Sequence, residues 1–103
     1  MSAPEIFVEK TNRGIRIINK SNKKIKVVTV TLIYRYTVTS ATTKTQSESP
    51  YLSKTGSERM NLMKDLESGS SFEVEFYPPD ILVSVELVIE SDKARHIISR
   101  NLV

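Results

Sequence analysis

The stretch NKSNKKIKVVTVTLIYRY, Asn19 to Tyr36, opens on a polar turn with three lysines and closes on an aromatic–arginine–aromatic triplet. It has two readings: a grip for nucleic acid, or the inside of a β-sheet. Alternation bears on the choice. From Val28 the even positions are Val28, Val30, Leu32, Tyr34, Tyr36 and Val38; the odd ones are Thr29, Thr31, Ile33, Arg35 and Thr37. Successive side chains of a strand point to opposite faces. The spacing therefore predicts one long strand, about Ile25 to Thr39, with Tyr34 and Tyr36 on its core face and Arg35 turned away. The triplet then offers no single stacking surface. Ile25 and Val27 carry the opposite parity, which predicts a β-bulge near Val27–Val28.

Working outward, the same period recurs and helical period is almost missing. Residues 5–10 read as a short first strand at a sheet edge, and GIRIINK from Gly14 as a second. SNKK (21–24) is a turn of residues that tolerate tight backbone conformations. Residues 40–57 are polar, with Pro50 and Gly56 as breakers, and predict a mobile loop with room for a short strand around 42–47. ERMNLMKDL (58–66) fits either a strand or a helical turn. FEVEFY (72–77) turns Phe72, Val74 and Phe76 inward and Glu73 and Glu75 outward, and the prolines of PPD (78–80) stop it. ILVSVELVIE (81–90) places Ile81, Val83, Val85, Leu87 and Ile89 on one face. SDKA (91–94) turns the chain into a last strand, 95–103.

About seven strands at even spacing in 103 residues predict a single all-β domain, an antiparallel immunoglobulin-like β-sandwich, with a small barrel as the alternative. Composition agrees: ten Ile, ten Val and nine Thr outweigh three Ala, and such β-branched side chains suit a pleated surface. The Ile- and Lys-rich, Ala-poor usage also points to an AT-rich genome, archaeal or viral.

Beyond Gly14 the order of features resembles arrestin-like domains. IINKSNKKIKVVTVTL (17–32) is similar to their strand, Asn-x-Ser turn, lysine and alternating apolar strand. LESGSSFEVEFYPPD (66–80) supplies a Gly turn and a strand ending in proline, and residues 81–103 supply two closing strands. The chain departs from that family in having one sandwich rather than two, and Val85 or Leu87 where a tyrosine is usual. The resemblance implies a scaffold that binds other proteins and carries over no functional residue.

Several chemistries are excluded or left without material. There is no cysteine, so disulfides, zinc–thiolate sites and thiol nucleophiles are out. Gly14, Gly56 and Gly69 are the only glycines and form no phosphate-binding loop. His96 is the single histidine, on a strand beside Arg95, and no serine lies in a nucleophile elbow. A triad would have to use it; a structural or surface place is the expectation. The pairs Glu73/Glu75 and Glu86/Glu90 read as solvated strand faces rather than acid–base or cation sites. No enzyme activity, cofactor, metal site or small-molecule substrate is expected. No apolar run approaches the length of a membrane span, and no leader is recognisable, so the expectation is a cytoplasmic protein.

Charge supplies the one functional signal. Residues 1–54 carry +7 and residues 55–103 carry −4, for a net +3. Arg13, Arg16, Lys20, Lys23, Lys24 and Lys26 fall close together and predict a basic ridge at one end of the sandwich, a candidate site for an anionic partner. Lysine-rich turns also keep β-proteins soluble, and strands from the two halves can interleave and mix their charges. The leading expectation is a non-catalytic protein-interaction or structural/assembly module. It would bind a protein partner or itself through its loops or through edge strands at 5–10 and 95–103. The alternative is a small nucleic-acid-binding protein using residues 13–26.

Overall fold

The structure is a computed structural model that describes residues 4–39 and 51–103. Strands β1 (Ile6–Thr11), β2 (Gly14–Asn19) and β5 (Ser71–Glu75) form a three-stranded sheet in the order β1-β2-β5. Strands β3 (Ile25–Thr39), β4 (Tyr51–Leu66), β6 (Leu82–Ser91) and β7 (Ala94–Asn101) form a four-stranded sheet in the order β4-β3-β6-β7. Every pairing is antiparallel. The inward residues of both sheets meet in one cluster: Ile6, Ile15, Ile17 and Val74 from the first sheet, and Val27, Val30, Leu32, Leu82, Val85, Leu87 and Ile89 from the second. The chain is all-β among the described residues.

The parity switch at the start of β3 is a bulge. Val27 lies opposite Ile89 and Thr29 opposite Val88, so Val28 has no counterpart on β6, while β4 places both Leu62 and Met63 across from it. Met63 sits at φ 48, outside the strand region. One extra residue lets Ile25 and Val27 on one side of it, and Val30 and Leu32 on the other, all reach the core.

Val85, Leu87 and Ile89 face the core as expected, but a second register shift corrects the expected face at 81–83. Ile81 belongs to a short 3₁₀ turn (Pro79–Ile81), and Ser84 pairs with Ile33 while Leu82 pairs with Tyr34. Val83 is the extra residue, so Leu82 is buried in place of Val83 and Ile81. The freed Val83 carbonyl accepts a hydrogen bond from the Leu102 N–H at 2.9 Å.

The expected loop at 40–57 also changes. Residues 51–57 belong to β4, as does the ambiguous 58–66 segment, which is strand. Residues 40–50, including the short strand expected around 42–47, lie outside the described residues. Gly56 is therefore not a breaker. It sits opposite Tyr34 in the ladder, and a Cβ there would lie 2.6 Å from that ring, so the glycine makes room for the tyrosine.

Asn19 ties the two sheets together at one end. It is fully buried, yet every polar group on its side chain is paired. Its Nδ2 donates to the carbonyls of Lys23 (2.9 Å) and Leu66 (3.0 Å), and its Oδ1 accepts from the N–H and hydroxyl of Ser21. Its backbone pairs with Ser70 and Gly69. The Asn-Lys-Ser turn is thus an anchor between the β2–β3 and β4–β5 connections. At the other end of β2, Gly14 permits a close approach within its own sheet: it has φ 146, and a Cβ there would meet the Val74 carbonyl oxygen of β5 at 2.1 Å.

Candidate interaction surface

The six basic residues do not form one ridge. Strand β2 spans roughly 17 Å, with Arg13 before its start and Lys20, Lys23 and Lys24 after its end. Arg16 lies between them on the outer face of the three-stranded sheet. Lys26 alternates with the inward Ile25 and Val27 and so faces out from the other sheet, on the opposite side of the protein.

Carboxylates sit beside most of them, Glu9 from the basic half and the others from the acidic half. Arg16 Nη1 is 2.9 Å from Glu9 Oε1 and lies across the ladder from Glu73 as well. Lys23 pairs with Asp92, and Lys24 Nζ is 3.9 Å from Asp65. Lys26 stands between Asp65 and Glu90 in register, and Arg95 Nε is 3.5 Å from Glu90. Lys20 Nζ lies 4.9 Å from the ring centre of Phe7. Arg13 borders a shallow open depression with Asn12, Glu75, Phe76 and Tyr77. Exposed ion pairs add little stability, but they reduce the positive potential that phosphate binding needs.

His96 is half-buried on β7, opposite Ile89. Glu73 Oε2 accepts a hydrogen bond from the Thr11 hydroxyl at 2.9 Å, which occupies one of its oxygens. Among the described residues no group of three metal-ligating side chains converges, and no helix is long and apolar enough to cross a membrane.

The feature that stands out is an arm. Strand β3 keeps β6 beside it only as far as Tyr34; from Arg35 to Thr39 it pairs with β4 alone, opposite residues 51–55. The molecule measures 58 × 26 × 20 Å, and a strand of 15 residues accounts for about 50 Å of the long axis. Its radius of gyration is 17.1 Å, where a compact chain of this length has about 13 Å.

The inner face of this arm continues the core face of β3. Tyr34 is half-buried, packed against the core and 5.2 Å from the Phe76 ring centre. Tyr36 follows at 5.9 Å from Tyr34 but is 37% exposed, and it lies past the last pairing of β3 with β6. The expectation of two core tyrosines therefore holds for their shared face and fails for the burial of Tyr36. Leu52, opposite Val38, is 49% exposed on the same face. Arg35 is exposed on the other face, as alternation requires.

Strand β4 is also an edge. Its 16 residues pair with β3 on one side, and among the described residues no strand lies on the other. The edges expected at 5–10 and 95–103 are β1 and β7, one in each sheet. They approach one another, with Arg100 Nη2 3.5 Å from the Ile6 carbonyl. The β4 edge leaves little mark in the sequence because its inner face is scarcely buried, and hydrophobic alternation records burial. The signal that was present is the length of β3: a strand of 15 residues implies a neighbour of similar length.

No family model matches the chain, and no curated protein or solved structure shows detectable similarity to it.

Proposed function

We propose that the chain is a non-catalytic protein-interaction or assembly module on an immunoglobulin-like sandwich. The chain path supports the fold assignment: β2 to β3 and β5 to β6 cross between the layers, as the second-to-third and fifth-to-sixth connections of that plan do. The observation that carries the function is the β3–β4 arm, with a strand edge unpaired among the described residues and with Tyr36 and Leu52 exposed on one face. Such an edge binds protein by adding a strand, with main-chain hydrogen bonds giving affinity and side chains giving choice. The resemblance to arrestin-like scaffolds points the same way.

The alternative, nucleic-acid binding through Arg13, Arg16, Lys20, Lys23, Lys24 and Lys26, is weakened by their dispersal and by the carboxylates beside four of them. Affinity capture from native lysate with and without nuclease separates the two. The interaction module keeps its bound proteins after nuclease and loses them when Tyr36→Ser and Leu52→Ser are combined. Capture that vanishes with nuclease, and with Lys23→Glu plus Lys24→Glu, would establish the alternative instead.

A further inference from the structure

We infer that the partner of the β4 edge is a second copy of this chain, paired antiparallel to β4 about a two-fold axis at Gly56. This rests on the interaction-module reading above and names its occupant.

The bulge fixes the usable length. With Leu62 and Met63 bulged, the regular part of β4 runs over residues 51–61, and Gly56 is its midpoint. Self-pairing centred there uses the whole segment without overhang. A two-fold axis perpendicular to the sheet keeps each face on its own side, so opposed residues must share parity. On the inner face the register then sets Leu52 against Met60 of the second copy, Lys54 against Glu58, and Gly56 against Gly56. By symmetry each of the first two pairs occurs twice.

Other registers lose this match. Centring on Lys54, Glu58 or Arg59 sets each of those charges against itself. Centring on Thr55 or Ser57 opposes Lys54 with Gly56 or Met60. Like charges directly opposed are destabilising, and opposite charges or apolar pairs are favourable.

The neighbouring strands extend the match. Val38 lies beside Leu52, and Val30 beside Met60. The joined sheet therefore carries a continuous apolar row: Val38 and Leu52 of one copy, then Met60 and Val30 of the other. The arm of each molecule comes to lie along the body of its partner, which supplies the cover that Leu52 lacks in the single chain. Tyr34 of each copy flanks the paired glycines, where no Cβ obstructs the rings.

The test is sedimentation equilibrium on the full chain over the accessible concentration range, with far-UV circular dichroism to confirm folding. Wild type is expected to be a reversible dimer. Lys54→Glu alone and Glu58→Lys alone each create two like-charge contacts and raise the dissociation constant on the order of tenfold. Mixing these two variants restores dimers of mixed composition, because every opposed charge is again complementary. The double variant K54E/E58K dimerises like wild type. A chain that is monomeric throughout overturns self-pairing and leaves the interaction module to the lysate capture above. A dimer unmoved by either single charge reversal overturns the β4 register, while the interaction module stands.

Discussion

Replacing Asn19 with aspartate tests whether the Asn-Lys-Ser turn acts through its hydrogen-bond donors. The substitution preserves side-chain volume and keeps an acceptor for the Ser21 N–H. It removes the two donors that hold the Lys23 and Leu66 carbonyls at 2.9 and 3.0 Å, and sets a carboxylate oxygen against them. The bond to Leu66 is fully buried, so no water replaces it; the bond to Lys23 is partly open. An unpaired buried carbonyl costs about 1–3 kcal/mol, and the introduced charge adds its own desolvation. The expected loss is about 3 kcal/mol or more, a fall in Tm on the order of 15 °C for a domain of this size. Asn19→Ala, which leaves a void without a charge, is expected to cost about 2 kcal/mol, and Ser21→Ala under about 1 kcal/mol. Urea unfolding at pH 7 followed by circular dichroism gives the order. Burial raises the introduced carboxylate's pKa in the folded state, so the aspartate deficit grows as pH rises above about 4 and shrinks toward it. An aspartate variant milder than the alanine variant, or within about 1 kcal/mol of wild type, would refute the donor role.

Gly14→Ala forces a Cβ against backbone at a positive φ, so it is expected to cost about 3 kcal/mol or to prevent folding, whereas Gly69→Ala, with open space around it and φ 78, costs about 1 kcal/mol; urea midpoints compare them. Gly56→Ala meets the Tyr34 side chain first and is expected to cost about 1–2 kcal/mol, with most of that relieved when Tyr34→Leu is added, as a double-mutant cycle reads. Lys23→Glu plus Lys24→Glu places like charges beside Asp92 and Asp65, for a loss of under about 1 kcal/mol, because all four side chains are exposed. The same variant is expected to leave weak, salt-sensitive retention on random DNA or RNA unchanged; a loss of retention of tenfold or more would assign that turn to nucleic acid after all.

The sequence shows the fold wherever burial writes a pattern. The parity break between Val27 and Val30 located the bulge, because four apolar residues on two parities cannot otherwise share a core. The alternation of Phe72, Val74 and Phe76 likewise matches their inward placement. The face expected for 85–89 matches the structure, and the error at 81–83 has the opposite cause: Ile81, Leu82 and Val83 are all apolar, so no pattern shows which one the shift drops. Strand β4 left almost no trace, since Leu52, Lys54, Gly56, Glu58 and Met60 share a face that solvent mostly reaches. The basic residues clustered in sequence but separated in space, because a turn and a sheet face lie between them. Apart from Glu9 on the adjoining hairpin strand, their carboxylate neighbours (Asp65, Glu73, Glu90 and Asp92) are distant in sequence and are brought alongside by the topology.

The arm also bears on why the chain keeps apolar residues that the described layers do not cover. Tyr36, Val38 and Leu52 extend the inner face past the last pairing of β3 with β6. In an isolated ribbon they gain little burial, and a two-stranded hairpin is marginally stable in water. Selection for solubility alone favours polar residues there, as β3 shows on its other face with Arg35 and Thr37. The two faces of one ribbon therefore obey different rules, and the apolar one obeys the rule of a buried sheet. Coverage of that face in the proposed dimer would account for the asymmetry. In the Gly56-centred register the cover comes from Met60 and Val30 of a second copy. Wild-type dimerisation should thus weaken when Leu52 is made polar, with the folded monomer unchanged, because Leu52 lies outside the chain's own core.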